Sequence, residues 1–474
     1  MSARFLFFVF SLCFTILVNA GAQDLPPKTT WEGKLGAIRL ILRINEDSVS
    51  HKPTAVFDSP DQGALGLTVS KLHIAADSLE AFSSLIQGGF KGSFNADKSV
   101  LNGIWQQGGA TIPLILKRTA NREGPKRPQN PKPPFPYKAE DLIYSNKDKT
   151  IQYGATLTLP VSTSPSPVVI LITGSGQEDR DETVFGHKPF LVIADHLSRN
   201  GIAVLRVDDR GVGKTTGDAK NATSEDFAQD VLAGIAYLKT RKEIDPARIG
   251  LIGHSEGGII APMVALRSKD VSFIVSLAGV GVTGKELIKR QVEHSYTRMG
   301  FDQEGVKRIL DMMDVLIKLS DEYPDEAKLK SEFKPAFQKW LDQQPEDFLR
   351  KAGFKGPDAD KAIGMMANRT YSPWMRYFFK YDPATTLTKV KIPVLAMNGE
   401  KDTQVSAKEN LEGFRKYLTQ AGNKDFKIAL LPGLNHLFQT ADTGEVGEYA
   451  DIEETFAPEA LKVMTDWIRG HSEK

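Results

Sequence analysis

The spacing of apolar residues changes along this chain, and each change marks a different kind of structure. From Trp31 to about Arg118 the pattern is short and strand-like. Leu35 to Ile44 and Ala64 to Ile74 alternate or run apolar, and Ile112-Pro-Leu-Ile-Leu-Lys117 closes the stretch. The turn clusters Asn45-Glu-Asp47, Ser59-Pro-Asp61 and Gln87-Gly-Gly89 separate these runs. Leu72 to Leu85 is expected to hold a short helix. The pattern predicts a small β-rich domain over residues 23–120. Next comes Gly124-Pro-Lys-Arg-Pro-Gln-Asn-Pro-Lys-Pro-Pro-Phe-Pro136. Its prolines lack amide donors and hold the chain extended, so residues 121–137 are expected to be a semi-rigid linker at a domain boundary.

Beyond Tyr137 the period lengthens. Val168-Val-Ile-Leu-Ile172, Ala203-Val-Leu-Arg-Val207, Arg248-Ile-Gly-Leu-Ile-Gly253 and Phe273-Ile-Val-Ser-Leu277 are near-continuous apolar runs. Helical patterns at Phe190–Arg199 and Ser224–Thr240 lie between them. Strands buried on both faces and alternating with helices predict a doubly wound, mostly parallel α/β sheet over residues 138–474. From Gly284 to Tyr381 the alternation is interrupted by charged, helix-patterned segments such as Glu286–Met299 and Glu304–Leu319. An all-helical insertion there is expected to cap an active site. Ile392–Met397 and Phe426–Leu431 resume the strands, and Pro458–Ile468 closes the chain as a helix.

Composition changes this picture little. Of 474 residues, 41% are hydrophobic and 25% charged, as in ordinary globular proteins. Sixty Lys and Arg face 59 acids, so no basic footprint points to nucleic acid or an anionic membrane. A small-molecule substrate is expected instead. At the N-terminus, Arg4, the apolar run Phe5–Val18 and Ala20-Gly-Ala22 have the form of a secretory signal peptide over residues 1–22. That run is too short to span a bilayer, and no later stretch suffices. The expectation is an exported protein, periplasmic or secreted, with no transmembrane segment after signal removal. Its one cysteine, Cys13, lies inside the signal, so the mature chain would hold neither disulfide nor thiol nucleophile.

The candidate chemistry centres on Gly253-His-Ser255-Glu-Gly257, which follows a predicted strand and precedes a predicted helix. A serine between paired glycines at such a junction has the form of a nucleophile elbow. A serine hydroxyl needs a base. Of eight histidines, His51 and His73 lie in the N-terminal domain, His471 in the tail and His294 in the cap. His187 and His196 precede the serine, and His254 beside it is expected to point away. His436, in the loop after the last strand, remains. The acid that orients it should close an intervening strand. Asp402 is favoured over Glu400, two residues nearer that strand. For the oxyanion, the backbone amide of Glu256 is one expected donor, and Ser175 or Gly176 the other. No cofactor is expected, and no His/Asp/Glu cluster has metal spacing. Cap residues such as Met365, Trp374, Phe378 and Phe379 are expected to shape substrate preference.

Gly174-Ser-Gly-Gln-Glu-Asp-Arg-Asp181, Asp208-Asp-Arg-Gly-Val-Gly213, Gly253-His-Ser-Glu-Gly-Gly258, Gly399-Glu-Lys-Asp402 and Leu434-Asn-His436 together resemble a bacterial α/β-hydrolase esterase family, the EstD-like carboxylesterases. The likeness extends more distantly to bile-acid-CoA acyltransferase-like and prolyl-oligopeptidase-like hydrolases. It covers Tyr137 to the C-terminus and leaves out the N-terminal domain. It implies hydrolysis of short acyl esters by Ser255, Asp402 and His436. Peptidase, thioesterase and acyltransferase chemistry would use the same triad. The N-terminal domain is expected to be a passive module, with polymer or partner binding as the alternative.

Other motifs are set aside. Gly211-Val-Gly-Lys-Thr215 has Asp208 where a phosphate-binding loop needs glycine, so a structural turn is expected. Gly279-Val-Gly-Val-Thr-Gly284 lacks the acid of a dinucleotide fingerprint, and a hinge or crossing is expected. Glu178-Asp-Arg-Asp-Glu182 is expected to be a solvated ion-pair network.

Overall fold

The computed structural model describes residues 28–119, apart from 37, 48–51, 60–63, 85 and 108–109, and residues 126–472, apart from 357–358. The expected signal peptide therefore lies outside the described residues. The chain divides into two compact units, Met1–Glu123 and Gly124–Lys474.

The first unit is a nine-stranded antiparallel sheet. Its strands are β1 (Thr29–Leu35), β2 (Ile38–Glu46), β3 (Pro53–Ser59), β4 (Ala64–Thr68), β5 (Lys71–Ile74), β6 (Ser78–Ser83), β7 (Gly88–Phe94), β8 (Val100–Gln107) and β9 (Ala110–Thr119). First and last strands pair at the centre, with Thr30 opposite Thr119. Alternate residues such as Leu40, Leu42 and Ile44 are buried, around a core that includes Trp31, Phe57 and Trp105. The helix expected at 72–85 is absent. β5 and β6 form a hairpin there, with His73 opposite Glu80. Leu79 and Ala81 are buried and Glu80 between them is exposed, a period of two that suits one face of a sheet.

The second unit holds an eight-stranded sheet in the order β10-β11-β13-β12-β14-β15-β16-β17. Its strands are β10 (Tyr137–Ser145), β11 (Gln152–Pro160), β12 (Ser166–Ile172), β13 (Ala203–Val207), β14 (Ile244–His254), β15 (Val271–Leu277), β16 (Val394–Gly399) and β17 (Phe426–Leu431). β10 and β11 run antiparallel to their neighbours, and the other pairings are parallel. Each central strand is apolar on both faces because each face has its own core. Val168, Ile170 and Ile172 join one cluster, with residues of α2 (Ser224–Leu238) and α3 (Gly257–Ala265). Val169 and Leu171 join the other, with residues of α1 (Pro189–Arg199) and α12 (Pro458–Ser472).

Between β15 and β16 stand seven helices: α4 (Gly284–Arg298), α5 (Gln303–Glu322), α6 (Glu326–Leu341), α7 (Glu346–Lys351), α8 (Ala359–Tyr371), α9 (Pro373–Lys380) and α10 (Ala384–Leu387). Asp302 and Asp325 cap α5 and α6 by accepting from the amides of Gly305 and Lys328. The remaining helix, α11 (Ala407–Gln420), joins β16 to β17.

The proline-rich segment is more than a spacer where it is described. The Arg127 guanidinium donates to the carbonyls of Phe185, Ala450 and Ile452. Gln129 accepts from the amides of Thr455 and Phe456 and donates to the Phe456 carbonyl. Polar side chains between the prolines thus bind this stretch to the second unit.

Candidate active site

The Ser255 backbone has a φ of +51°, the left-handed conformation of a strained turn between β14 and α3. The flanking glycines make that turn possible. A Cβ on Gly253 would lie 2.0 Å from the Gly257 carbonyl oxygen, and one on Gly257 would lie 2.3 Å from that of Ile172. The Ser255 amide donates to the Leu277 carbonyl at 2.8 Å, fixing the elbow against β15.

Asp402 stands just past β16. Its Oδ1 accepts from the amides of Gln404 and Val405, each at 2.8 Å. Its Oδ2 accepts from His436 Nδ1 at 2.7 Å, and both side chains are buried. The rival Glu400 instead accepts from the Gly433 amide at 3.0 Å. His436 sits in a turn held by Asn435, whose Oδ1 accepts from the amides of Leu437 and Gln439.

His254 turns to partners other than Ser255. Its Nδ1 lies 2.8 Å from Glu182 Oε1, and its Nε2 lies 3.1 Å from the carbonyl oxygen of His436. Both neighbours accept hydrogen bonds, so both ring nitrogens are suited to donate and the imidazolium is favoured. Burial opposes that charge, but Glu182 outweighs it by charge and hydrogen bond and holds His254 above its ordinary value. The same Glu182 oxygen accepts from the Gly174 amide at 3.0 Å. One carboxylate therefore ties the loop after β12 to the elbow, and through His254 to the His436 turn. Sequence reasoning missed this brace. Its residues stand next to recognised motifs, but nothing in their spacing pairs positions 182 and 254.

The rest of the acidic run is also less solvated than expected. Arg180 donates to both oxygens of Asp208, at 2.9 and 2.6 Å, and Asp181 pairs with the buried Arg206. Burial pushes Glu178 and Asp209 up to about 7. Among the described residues no group of three or more His, Cys, Asp or Glu is placed to hold a metal ion. The Gly211–Thr215 turn wraps Asp208, which accepts from the Lys214 amide and, through its carbonyl, from the Thr215 hydroxyl. The Gly279–Gly284 stretch is a crossing: a Cβ on Gly281 would lie 2.1 Å from the Asn410 carbonyl oxygen, and one on Gly284 1.8 Å from that of Phe378.

Ser175 and Gly176 lie beyond the anchored Gly174. Among the described residues no acceptor takes the amides of Ser175, Gly176 or Glu256. The Glu256 side chain turns into the protein. Its Oε1 accepts from Ser224 at 2.6 Å and from the cap residue Trp374 at 2.8 Å, while Oε2 is buried without a partner. Burial pushes its carboxyl up to about 7.

A cavity of about 240 Å³ opens at Ser255, lined also by Ser175, Gln291, Trp374 and Phe378. A second, of about 430 Å³, lies in front of the loop after β12 and shares Ser175 and Trp374 with the first. Met365 and Phe379 line neither. They border a separate, largely apolar cavity of about 340 Å³ within the cap, rich in methionine. Trp374 stacks on Phe378 at 5.1 Å, which sets the wall of the smaller cavity.

A mostly parallel sheet with a strained serine at a strand-to-helix elbow, and a late acid–histidine pair, defines a class of fold and site. The chain belongs to the alpha/beta hydrolase family, whose model matches residues 169–448. It is 28% identical over 295 residues to the esterase EstD of Thermotoga maritima, across 62% of this chain and 60% of that protein's length. It is 23% identical over 278 residues to an uncharacterized 31.7 kDa protein of Escherichia coli, covering 59% of this chain and 84% of the relative. Among solved structures, the alpha/beta hydrolase GrgF from a Penicillium species aligns with 71% of this chain and all of its own, at 16% identity and a TM-score of 0.43.

Proposed function

We propose that this protein is a serine carboxylic ester hydrolase that works through an acyl-serine intermediate on esters with short or small acyl groups. The observation that carries the reading is the 2.7 Å hydrogen bond from His436 Nδ1 to Asp402, in a turn whose carbonyl meets His254, the residue before the strained Ser255. With Nδ1 donating to Asp402, Nε2 is left as the base. Ser255 Oγ attacks the ester carbonyl carbon as its proton passes to His436 Nε2. The carbonyl electron pair moves onto oxygen, where the Glu256 amide and that of Ser175 or Gly176 receive it. Collapse breaks the bond to the alcohol oxygen, which takes the proton from His436 and leaves. Water then loses a proton to His436 and attacks the acyl carbon, and a second collapse releases the acid and restores Ser255.

The cavity of about 240 Å³ at Ser255 suits a small acyl group. Export belongs to the same reading, supported by the signal-like pattern over residues 1–22. Ser255→Ala protein and wild type are compared on 4-nitrophenyl acetate and for labelling by a fluorophosphonate. Loss of both turnover and label at position 255 is expected. Full activity in the variant would overturn the reading, and a panel with acyl-CoA and dipeptide anilides separates thioesterase and peptidase chemistry.

A further inference from the structure

The cap carries six arginines, and their partners differ in kind. Arg290 pairs with Glu286 and Glu409, Arg298 with Glu445, Arg308 with Glu304 and Arg350 with Glu346. Arg376 donates to the Pro324 carbonyl. The guanidinium of Arg369, on α8, has no hydrogen-bond or ion-pair partner among the described residues. It is also the arginine that lines the cavity at Ser255 and the larger cavity in front of the loop after β12.

The larger cavity has a second cation in its wall, Lys220, and no carboxylate among the described residues. Glu256, the acid lining the smaller one, is turned toward Ser224 and Trp374. A cleft that gathers two cations in its wall attracts negative charge. A guanidinium adds shape to charge, because its planar fork matches a carboxylate through two parallel hydrogen bonds. Ser175, Trp374 and Arg369 line both cavities, so the larger one adjoins the cavity at Ser255.

We propose that the larger cavity is a carboxylate-binding subsite, and that the substrate is an ester whose second arm ends in a carboxylate held by Arg369 with Lys220 beside it. This deepens the ester hydrolase reading and rests on it.

Two matched pairs of esters test the proposal and locate the charged arm. 4-Nitrophenyl hydrogen adipate against 4-nitrophenyl hexanoate places the carboxylate on the acyl side. 4-Carboxyphenyl hexanoate against 4-carbamoylphenyl hexanoate places it on the alcohol side. In wild type one anionic ester is expected to be favoured through a lower KM. In Arg369→Gln its kcat/KM ratio to the neutral partner falls by about ten-fold or more, the worth of a hydrogen bond to a charged group, and Arg369→Lys recovers part of it. Added salt lowers the wild-type ratio, because the cleft opens to solvent. Equal ratios in wild type and Arg369→Gln for both pairs would overturn the subsite. Calorimetric binding of the same four esters to Ser255→Ala protein, with and without Arg369→Gln, decides the matter independently of turnover. If wild type hydrolyses none of them, the ester reading fails. Equal binding of charged and neutral partners defeats the carboxylate subsite.

Discussion

His254 Nε2 lies 3.1 Å from the carbonyl oxygen of His436, so the residue before Ser255 holds the turn that carries His436. The two rings stand 4.8 Å apart. Behind them Glu182 completes the brace and also holds the Gly174 amide. The serine, the histidine and the expected oxyanion loop belong to three separate stretches of chain. This brace is what keeps them in register.

Glu182→Ala removes the acceptor shared by the buried His254 and the Gly174 amide, and is expected to cost about 3 kcal/mol of stability in urea denaturation of the full chain. Glu182→Gln keeps an acceptor for Gly174 but removes the charge, and its kcat should fall by about 10²-fold, with little change in KM, if the His436 turn shifts. The stabilisation from His254 is full below its ordinary value of 6.5 and is lost as pH rises through its raised value. Unchanged kcat and stability in both variants would remove the brace from the account.

Asp402→Asn puts a donor where His436 Nδ1 now donates, and kcat on a 4-nitrophenyl ester is expected to fall by about 10⁴-fold. Glu400→Gln touches only the Gly433 contact and should stay within about 0.5 kcal/mol of wild type in activation free energy. The opposite ranking would exchange the roles of the two acids.

The Glu256 carboxyl is pushed by burial from about 4.5 up to about 7. Between those values the folded state binds more protons than the unfolded chain, so this group lowers stability as pH rises from 4.5 to 7. Glu256→Gln retains an acceptor for Ser224 and Trp374 without the charge. Thermal midpoints across pH 5 to 8 should fall less steeply in the variant. Parallel curves would show that Glu256 does not titrate in this range.

Arg127→Ala removes three charged hydrogen bonds to the carbonyls of Phe185, Ala450 and Ile452. A loss of about 2 kcal/mol is expected in chemical denaturation. Limited proteolysis should also cut first near residues 446–456, which these bonds hold. A variant as stable and as resistant as wild type would return this segment to the role of a spacer.

The elbow, the late histidine and the doubly wound sheet were legible because local chemistry dictates them. Gly253 and Gly257 are required by backbone contacts closer than any side chain allows, and runs such as Val168–Ile172 are apolar because both faces are covered. Period and turn residues were weaker guides at 72–85, where Ser78–Ser83 pairs with Gly88–Phe94 and cross-strand pairing overrides local helix preference. The antiparallel β10 and β11 likewise have a place in the sheet that their own residues do not announce. Asp402 and Glu400, two positions apart in sequence, differ in direction: one carboxylate meets His436 Nδ1 and the other the Gly433 amide.

Tertiary structure alone joined Glu182 to His254, 72 positions apart, and left the Arg369 guanidinium without a partner among the described residues, where every other cap arginine has one. Sequence by itself determined which residues can do chemistry, since glycine spacing and apolar period are local requirements. Which of them meet depends on how distant loops converge, and a buried charge or an open guanidinium exists only once that convergence has excluded water or left it in place.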